Sequence, residues 1–332
     1  MFWDEKYWLP RGFTWNDLKS NDTVHYPDIW QLTYAMKYSV LLLLLRFAVE
    51  CFVFLPIGCL FGMIKEPFGL RIKAHLNFCQ ANKGKFKRVS ESAWRFLFYL
   101  CLYVLSDQPQ LYDVAECWRY WPRHPLTNNV WWYYVIETSF YCSLIISSVL
   151  FDIRRADFIQ MTFHHIITIL LLTLSFVMNM VRIGTLILFS HDIADVFLEL
   201  GKLCRYAGWK TVLTCVFATF MTVWIVTRLI YFPFFIIRSV LFDAPALIQA
   251  DYRWENIRQP PIVPRLFALM LLSLLILHIY WTIIIMKIAL KSVKGNIDDI
   301  REESDNEISS AASSENIDAI VKNNTKRTKK IE

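Results

Sequence analysis

The sequence predicts an all-α fold, a polytopic bundle of membrane-spanning helices, about seven in number with a count of six also fitting. Three observations carry that prediction. Apolar side chains make up 55% of the 332 residues and charged ones only 19%, a balance too apolar for an ordinary soluble domain. The apolar residues gather into runs, most of them close to the ~20 residues a helix needs to cross hydrocarbon. The basic residues, which leave a net charge of +6, lie mostly between the runs and in the tail, where they act as orientation signals.

Taken in order, residues 1–37 form a first polar and aromatic segment. Its head, "MFWDEKYWLP", lacks a basic leader followed by an apolar stretch and cleavage site. No removable signal peptide is therefore expected, and the first span, 38–63, directs insertion. The loop 64–93 holds Lys65, Arg71, Lys73, Lys83, Lys85, Lys87 and Arg88 against Glu66 and Glu91, which assigns it to the cytosol. Further apolar runs follow at 94–106, 130–150, 158–181, 183–203, 211–238 and 264–290. The first of these is short and several contain charges, so their boundaries are loose. With the 64–93 loop in the cytosol, the N-terminus is luminal, the short loops carrying Arg154, Arg155, Arg205 and Lys210 are cytosolic, and so is the tail.

Two further signals agree with that orientation. Asn21-Asp22-Thr23 is an N-glycosylation acceptor on the luminal side, making Asn21 a candidate glycosylation site. The chain closes on "KKIE", with Lys329 and Lys330 placed as in a cytosolic dilysine retrieval signal of endoplasmic reticulum membrane proteins. The tail 291–332 is polar and expected to be disordered. Within it Ser304, ahead of Asp305 and Glu307, is a candidate for phosphorylation, although a solvated linker is the plainer reading. The eight cysteines are scattered, mostly inside apolar runs, with no C-x-x-C pair. They read as small core residues and not as a disulfide framework or zinc site.

The chemistry lies in the fourth and fifth runs. On a helix His165, Thr168, Leu172, Ser175, Asn179 and Arg182 follow steps of three and four, so the polar members share a face with His164 on its flank. In the next helix Asp192, Asp195, Glu199, Lys202 and Tyr206 repeat those steps, with His191 one turn before Asp195. A tight turn around Arg182 to Gly184 is expected to set the two helices antiparallel, bringing His165 near the level of Glu199. Each such acid or lysine costs ~2.5–3.5 kcal/mol at a helix centre facing lipid, so the groups must face a cavity or each other. A buried polar lock, with Lys202 on Glu199 and the histidines donating to the acids, explains any one residue. The whole set asks for more. An imidazole takes a proton from an amine or hydroxyl nucleophile, or itself attacks an acyl donor, while a carboxylate orients the ring; this is acyl-transfer equipment. A di-metal site is the rival, but it needs many clustered histidines and the chain has seven. His25, His75 and His124 fall in loops and His278 stands alone in the last span, so only His164, His165 and His191 converge and no metal is expected.

The run "HHIITILLLTLSFVMNMVRIGTLILFSHDIADVFLELGKLCRY", residues 164–206, closely resembles the signature of the ceramide synthases, the longevity-assurance group of the TLC-domain family. "SAWRFLFYL" at 92–100, "YYVIETSFYCSLI" at 133–145 and "TRLIYFP" at 227–233 are similar to that family in the same order. The resemblance implies an endoplasmic reticulum enzyme joining a fatty acyl group from acyl-CoA to the amine of a sphingoid base, within a TLC domain at 94–290. Residue by residue, it implies that His164 and His165 are the catalytic pair and Asp192 and Asp195 the essential aspartates. Ser175, Asn179, Arg182, His191, Glu199 and Lys202 then support the site or bind substrate. Either histidine accepts the acyl group or serves as base, and the sequence does not choose between those roles.

The implied partners are fatty acyl-CoA as co-substrate, a sphingoid base, membrane lipid and a homo- or heterodimer partner, with no bound cofactor. Lys87, Arg88, Arg154 and Arg155 are candidates to meet CoA phosphates, although the positive-inside bias accounts for each of them. Two departures stand out. The family's frequent tyrosine after the motif serine is Phe176 here. The homeobox-like insert of many animal members is reduced to what resembles its tail in the 64–93 loop, too short for a three-helix DNA reader, so nucleic-acid binding is excluded. Acyl length, attributed in this family to the cavity and the last luminal loop, maps to 244–264 and is not readable from the sequence. A non-catalytic lipid-binding or translocation-associated TLC protein is the alternative.

Overall fold

A computed structural model describes residues 4–22, 24–60, 69, 85–105, 112–150, 152, 155–249 and 251–293. Thr23, the basic residues of the 64–84 stretch, Arg154, Ser304, Lys329 and Lys330 lie outside the described residues. The chain divides into two compact units, residues 1–153 with 162–279 and residues 154–161 with 280–332. In the second, the indole N–H of Trp281 donates to Asp157 Oδ2 at 3.3 Å. The packing and the cavity described below lie in the first.

Helices, and no strand among the described residues, build this unit. The short α1 (Glu5–Trp8) is capped by Asp4, whose carboxylate accepts from Lys6 N. A capped turn at Ile29–Gln31 leads into α2 (Leu32–Val49), which continues through a wide π turn at Glu50–Phe54 into α3 (Leu55–Leu60). Then come α4 (Lys85–Leu105), α5 (Asn128–Leu150), α6 (Phe158–Val177) and α7 (Val181–Ala207), the last ended by Gly208 in the left-handed region at φ 78°. α8 (Lys210–Trp224) runs on in π geometry to Asp243 and into α9 (Ala244–Ile248), and α10 (Val263–Val293) closes the series. α7 is the central helix. It packs along α4 and α8 and touches α5, while α2 lies along α5.

Five stretches are long and apolar enough to cross a membrane: Ile29–Leu60, Asn128–Leu150, Phe158–Val177, Lys210–Ile248 and Val263–Lys291. The chain is a membrane protein of the all-α class, as its composition predicts. The two remaining long helices, α4 and α7, are about 31 and 40 Å long at 1.5 Å per residue, but carry more charge. The expected run 94–106 is the apolar half of α4, whose earlier turns hold Lys87, Arg88 and Glu91 and so escape a search for apolar runs.

The turn between α6 and α7 differs from expectation. It lies at Met178–Met180 and not at Arg182–Gly184, which belong to α7. Asn179 makes it, at φ 52°, a conformation asparagine tolerates. Its side-chain amide donates to the carbonyls of Pro122 and His124 at 2.7 and 2.8 Å, tying down the preceding loop. Gly184 serves another purpose. The Tyr134 hydroxyl occupies the space that a Cβ there would need.

A buried ionic cluster joins α2 to the end of α5. Arg46 Nε donates to Glu50 Oε1 at 2.8 Å and Nη2 to Asp152 Oδ1 at 2.7 Å, while Lys87 Nζ lies 3.5 Å from Glu50 Oε2. Lys87 is thus a buried partner of Glu50, not a surface cation free for phosphate. Removing one member of such a set leaves charge uncompensated, which costs about 3–5 kcal/mol. Arg46→Met is expected to lower the unfolding temperature in detergent micelles accordingly, and adding Asp152→Asn, which leaves Glu50 paired with Lys87, is expected to recover most of the loss.

His124 gives a second expectation. It is buried in the loop with neither ring nitrogen hydrogen-bonded. Burial, with help from the Arg182 charge, pushes its imidazole down to about 4. The unfolded chain takes up that proton near pH 6.5 and the folded one only near 4, so this contribution is intact above about pH 6.5 and lost as pH falls toward 4. Between pH 7 and 5 the wild type should lose more thermal stability than His124→Phe; equal losses would count against this account.

Candidate active site

Between α6 and α7 the first unit holds a cavity of about 70 Å³, walled also by α5, the α8 continuation, α9 and α10. The two helices do not pack closely along their lengths, because the cavity separates them. From α6 the lining takes His164, Thr168 and Ser175, one face at steps of four and seven. The expectation had put His165 on the polar face and His164 on its flank. In the structure His164 lines the cavity, whereas His165 is buried with its ring 5.8 Å from Tyr141 and 5.5 Å from that of His164. The two are neighbours about 100° apart around the helix, so a modest rotation decides which one opens into the space.

α7 brings four groups to the same region. His191 lines the cavity, and its Nδ1 lies 2.7 Å from the Ile187 carbonyl, which can only accept. That contact assigns the proton to Nδ1 and leaves Nε2, buried with no hydrogen-bond partner, as a lone-pair nitrogen. The three acids each meet a different helix. Asp192 accepts from the Tyr133 hydroxyl on α5 at 3.4 Å, with Glu137 of α5 beside it. Asp195 accepts from Arg228 Nη2 at 3.1 Å. Glu199 accepts from Arg95 Nε on α4 at 3.0 Å and from Lys202 Nζ at 2.8 Å. The expected Lys202–Glu199 pair is present, while Asp192 accepts from Tyr133 and Asp195 from Arg228.

Arg228 is the hub. The same Nη2 also donates to the His191 carbonyl at 2.9 Å, and Nη1 lies 3.2 Å from His278 Nε2. A guanidinium only donates, so His278 accepts through Nε2. The guanidinium further stacks on Trp224 at 5.1 Å. His278, read as a lone residue of the last span, in fact joins the cluster, its ring 5.0 Å from that of His191. Three further residues escaped the reading of the sequence: Glu137, Arg228 and Arg95, all ionisable groups embedded in apolar runs. By the rule applied to α7 that embedding was itself the signal.

The remaining candidates fall elsewhere. Ser175 bonds to the Tyr134 hydroxyl at the cavity wall. Asn179 and Arg182 sit at the turn end, away from the histidines, and hold the loop before α5, Arg182 Nη1 reaching the Glu116 carbonyl at 3.4 Å. Asn21 is exposed, its side-chain oxygen accepting from Val24 N at 2.7 Å.

Comparison with known proteins bears directly on this arrangement. The TLC domain family matches residues 88–287. Ceramide synthase hyl-2 of Caenorhabditis elegans is 43% identical over 314 residues, 91% of this chain and 93% of the relative. The chain belongs to the ceramide synthases of the TLC-domain family. Ceramide synthase hyl-1 of the same organism is 41% identical over 91% of this chain and 84% of the relative. Ceramide synthase 3 of Mus musculus is 32% identical over 92% and 88%. The TLC domain takes in every acid–base pair around the cavity, while α1 to α3 precede it.

The cavity wall yields a test of its own. Gly184→Ala sets a methyl group against the Tyr134 hydroxyl, an overpacking expected to cost about 1–3 kcal/mol. Thermal unfolding should show that loss, and Tyr134→Phe combined with Gly184→Ala should be less destabilised than the sum of the two single variants.

Proposed function

We propose that the chain transfers a fatty acyl group from acyl-CoA to the amine of a sphingoid base, sphinganine or sphingosine, forming dihydroceramide or ceramide. The observation that carries the reading is the opening of His164 and His191 into a largely apolar cavity, beside a paired array of charges. The acyl group arrives activated as a thioester, so the reaction asks for no bound cofactor. The C–S bond breaks, CoA leaves as the thiol after taking a proton, and the amine nitrogen forms the new C–N bond as it loses one. An imidazole either receives the acyl group in between or removes the amine proton. The cavity face favours His164 for contact with the acyl group, with His165 behind it. Arg228 holds Asp195 and the His191 carbonyl together, keeping this part of α7 in register with α8 and α10.

Counting the charged helices α4 and α7 with the five apolar ones makes seven spans, with the histidine end of the cavity toward the cytosol, where CoA is available. The N-terminus is then luminal, with exposed Asn21 open to glycosylation, and the tail cytosolic. There Lys329 and Lys330 serve retrieval to the endoplasmic reticulum and Ser304 is open to kinases. Dimers with itself or a related chain complete the proposal, resting on resemblance to the family.

The test expresses the chain in membranes lacking their own ceramide synthases, supplies sphinganine with acyl-CoAs of graded length, and measures dihydroceramide by mass. The wild type should make product, and His164→Ala, His165→Ala and Asp195→Asn should each lose activity by ~10²-fold or more at matched protein levels. Well-expressed wild type that makes no product at any length would sink the proposal and leave a non-catalytic lipid-binding or translocation-associated role.

A further inference from the structure

We propose that Trp8, on α1 and outside the TLC domain, is the stop against which the far end of the acyl chain rests, so that the N-terminal segment limits acyl length. The inference rests on the acyl-transfer reading above. Trp8 is buried and lines the cavity. The backbone fixes where along the cavity it lies. The carbonyl of Tyr7 accepts from Ile262 N at 2.8 Å, immediately before α10 begins at Val263. α10 then runs to His278, which meets Arg228 beside His191. Fifteen residues of helix separate Val263 from His278, about 22 Å at 1.5 Å per residue. Trp8 therefore sits at the end of the cavity away from the histidines.

The surroundings suit the methyl end of a chain. Trp118 and Trp121 line the cavity with Trp8, and their indole N–H groups are occupied elsewhere, by Ser239 Oγ at 2.9 Å and the Met178 carbonyl at 2.8 Å. Met178 belongs to the α6–α7 turn, fourteen residues or about 21 Å beyond His164, which gives the same depth independently. Contacts of residues other than Trp8 also hold α1 in place. Besides the Tyr7–Ile262 bond, Glu5 Oε1 accepts from Trp15 N at 3.0 Å, and Arg11 pairs with Asp251 at 2.8 Å. Truncating Trp8 should therefore lengthen the cavity and not collapse it. Gln249 and Tyr252 reach the same cavity from the loop after α9, so the loop has to be separated from the indole by experiment.

Wild type, Trp8→Phe, Trp8→Ala and Gln249→Leu would be compared in the graded acyl-CoA assay. In parallel, the thermal stabilisation of each purified protein by free fatty acids of graded length would be measured. For Trp8→Ala, the product ratio of a chain two methylenes longer than the wild-type optimum to the optimum itself should rise on the order of tenfold. That is the value of burying two further methylenes at ~0.8 kcal/mol each. The fatty-acid length giving most stabilisation should rise in step, and Trp8→Phe should fall between and carry the test should Trp8→Ala not fold. Unchanged profiles in both assays for folded Trp8 variants would overturn the proposal, as would a profile that moves with Gln249→Leu alone. An inactive wild type would remove the acyl-transfer reading while the stabilisation series still judged Trp8. Stabilisation of the wild type by no fatty acid, together with inactivity, would overturn both.

Discussion

The guanidinium of Arg228 is the contact on which the rest of the site depends. An ionised group within a membrane helix is tolerated when the protein supplies its counter-charge and hydrogen bonds. Arg228 meets that demand with Asp195, with the carbonyl of His191, with His278 Nε2 and with the face of Trp224. Its contacts therefore join α8, α7 and α10 at one level. Its neighbours along α7 repeat the arrangement on other helices, Asp192 against Tyr133 of α5 and Glu199 against Arg95 of α4. One helix with acids spaced at three and four residues thus selects three different neighbours, and the bundle forms around it.

This resolves the tension between a polar lock and a reactive site. The lock reading holds for Glu199, doubly paired with Arg95 and Lys202. It does not exhaust His191, whose Nδ1 is spent on Ile187 while Nε2 stays without a hydrogen bond beside the cavity. Nor does it exhaust Asp192, which shares its buried position with a second carboxyl group, that of Glu137. A buried polar atom left without a hydrogen bond is costly, and His191 Nε2 is such an atom on a residue that lines the cavity.

The helices and the polar stripes were legible in the sequence because period and polarity are local. So was the family, from the 164–206 run. What was not legible is long-range: Arg95 lies 104 residues from Glu199 and Arg228 lies 33 from Asp195, and no spacing rule connects them. The turn was misplaced for a related reason. Gly184 reads as a chain reversal, but it is glycine because a tyrosine from another helix fills its side-chain space, and Asn179 makes the turn instead. The choice between His164 and His165 was beyond reach as well, since neighbouring residues 100° apart on a helix can both border one stripe.

The cluster around Arg46 also bears on biogenesis. Arg46 leaves the ribosome 106 residues before Asp152 is made, so the first span must enter the membrane with its final partner not yet synthesised. Glu50, one helical turn away on the same segment, supplies an interim counter-ion that needs no other part of the chain. When the end of α5 arrives, Asp152 completes the guanidinium's set without displacing Glu50. The i,i+4 pair thus acts as an internal escort, lowering the insertion cost of a cation that the finished bundle requires.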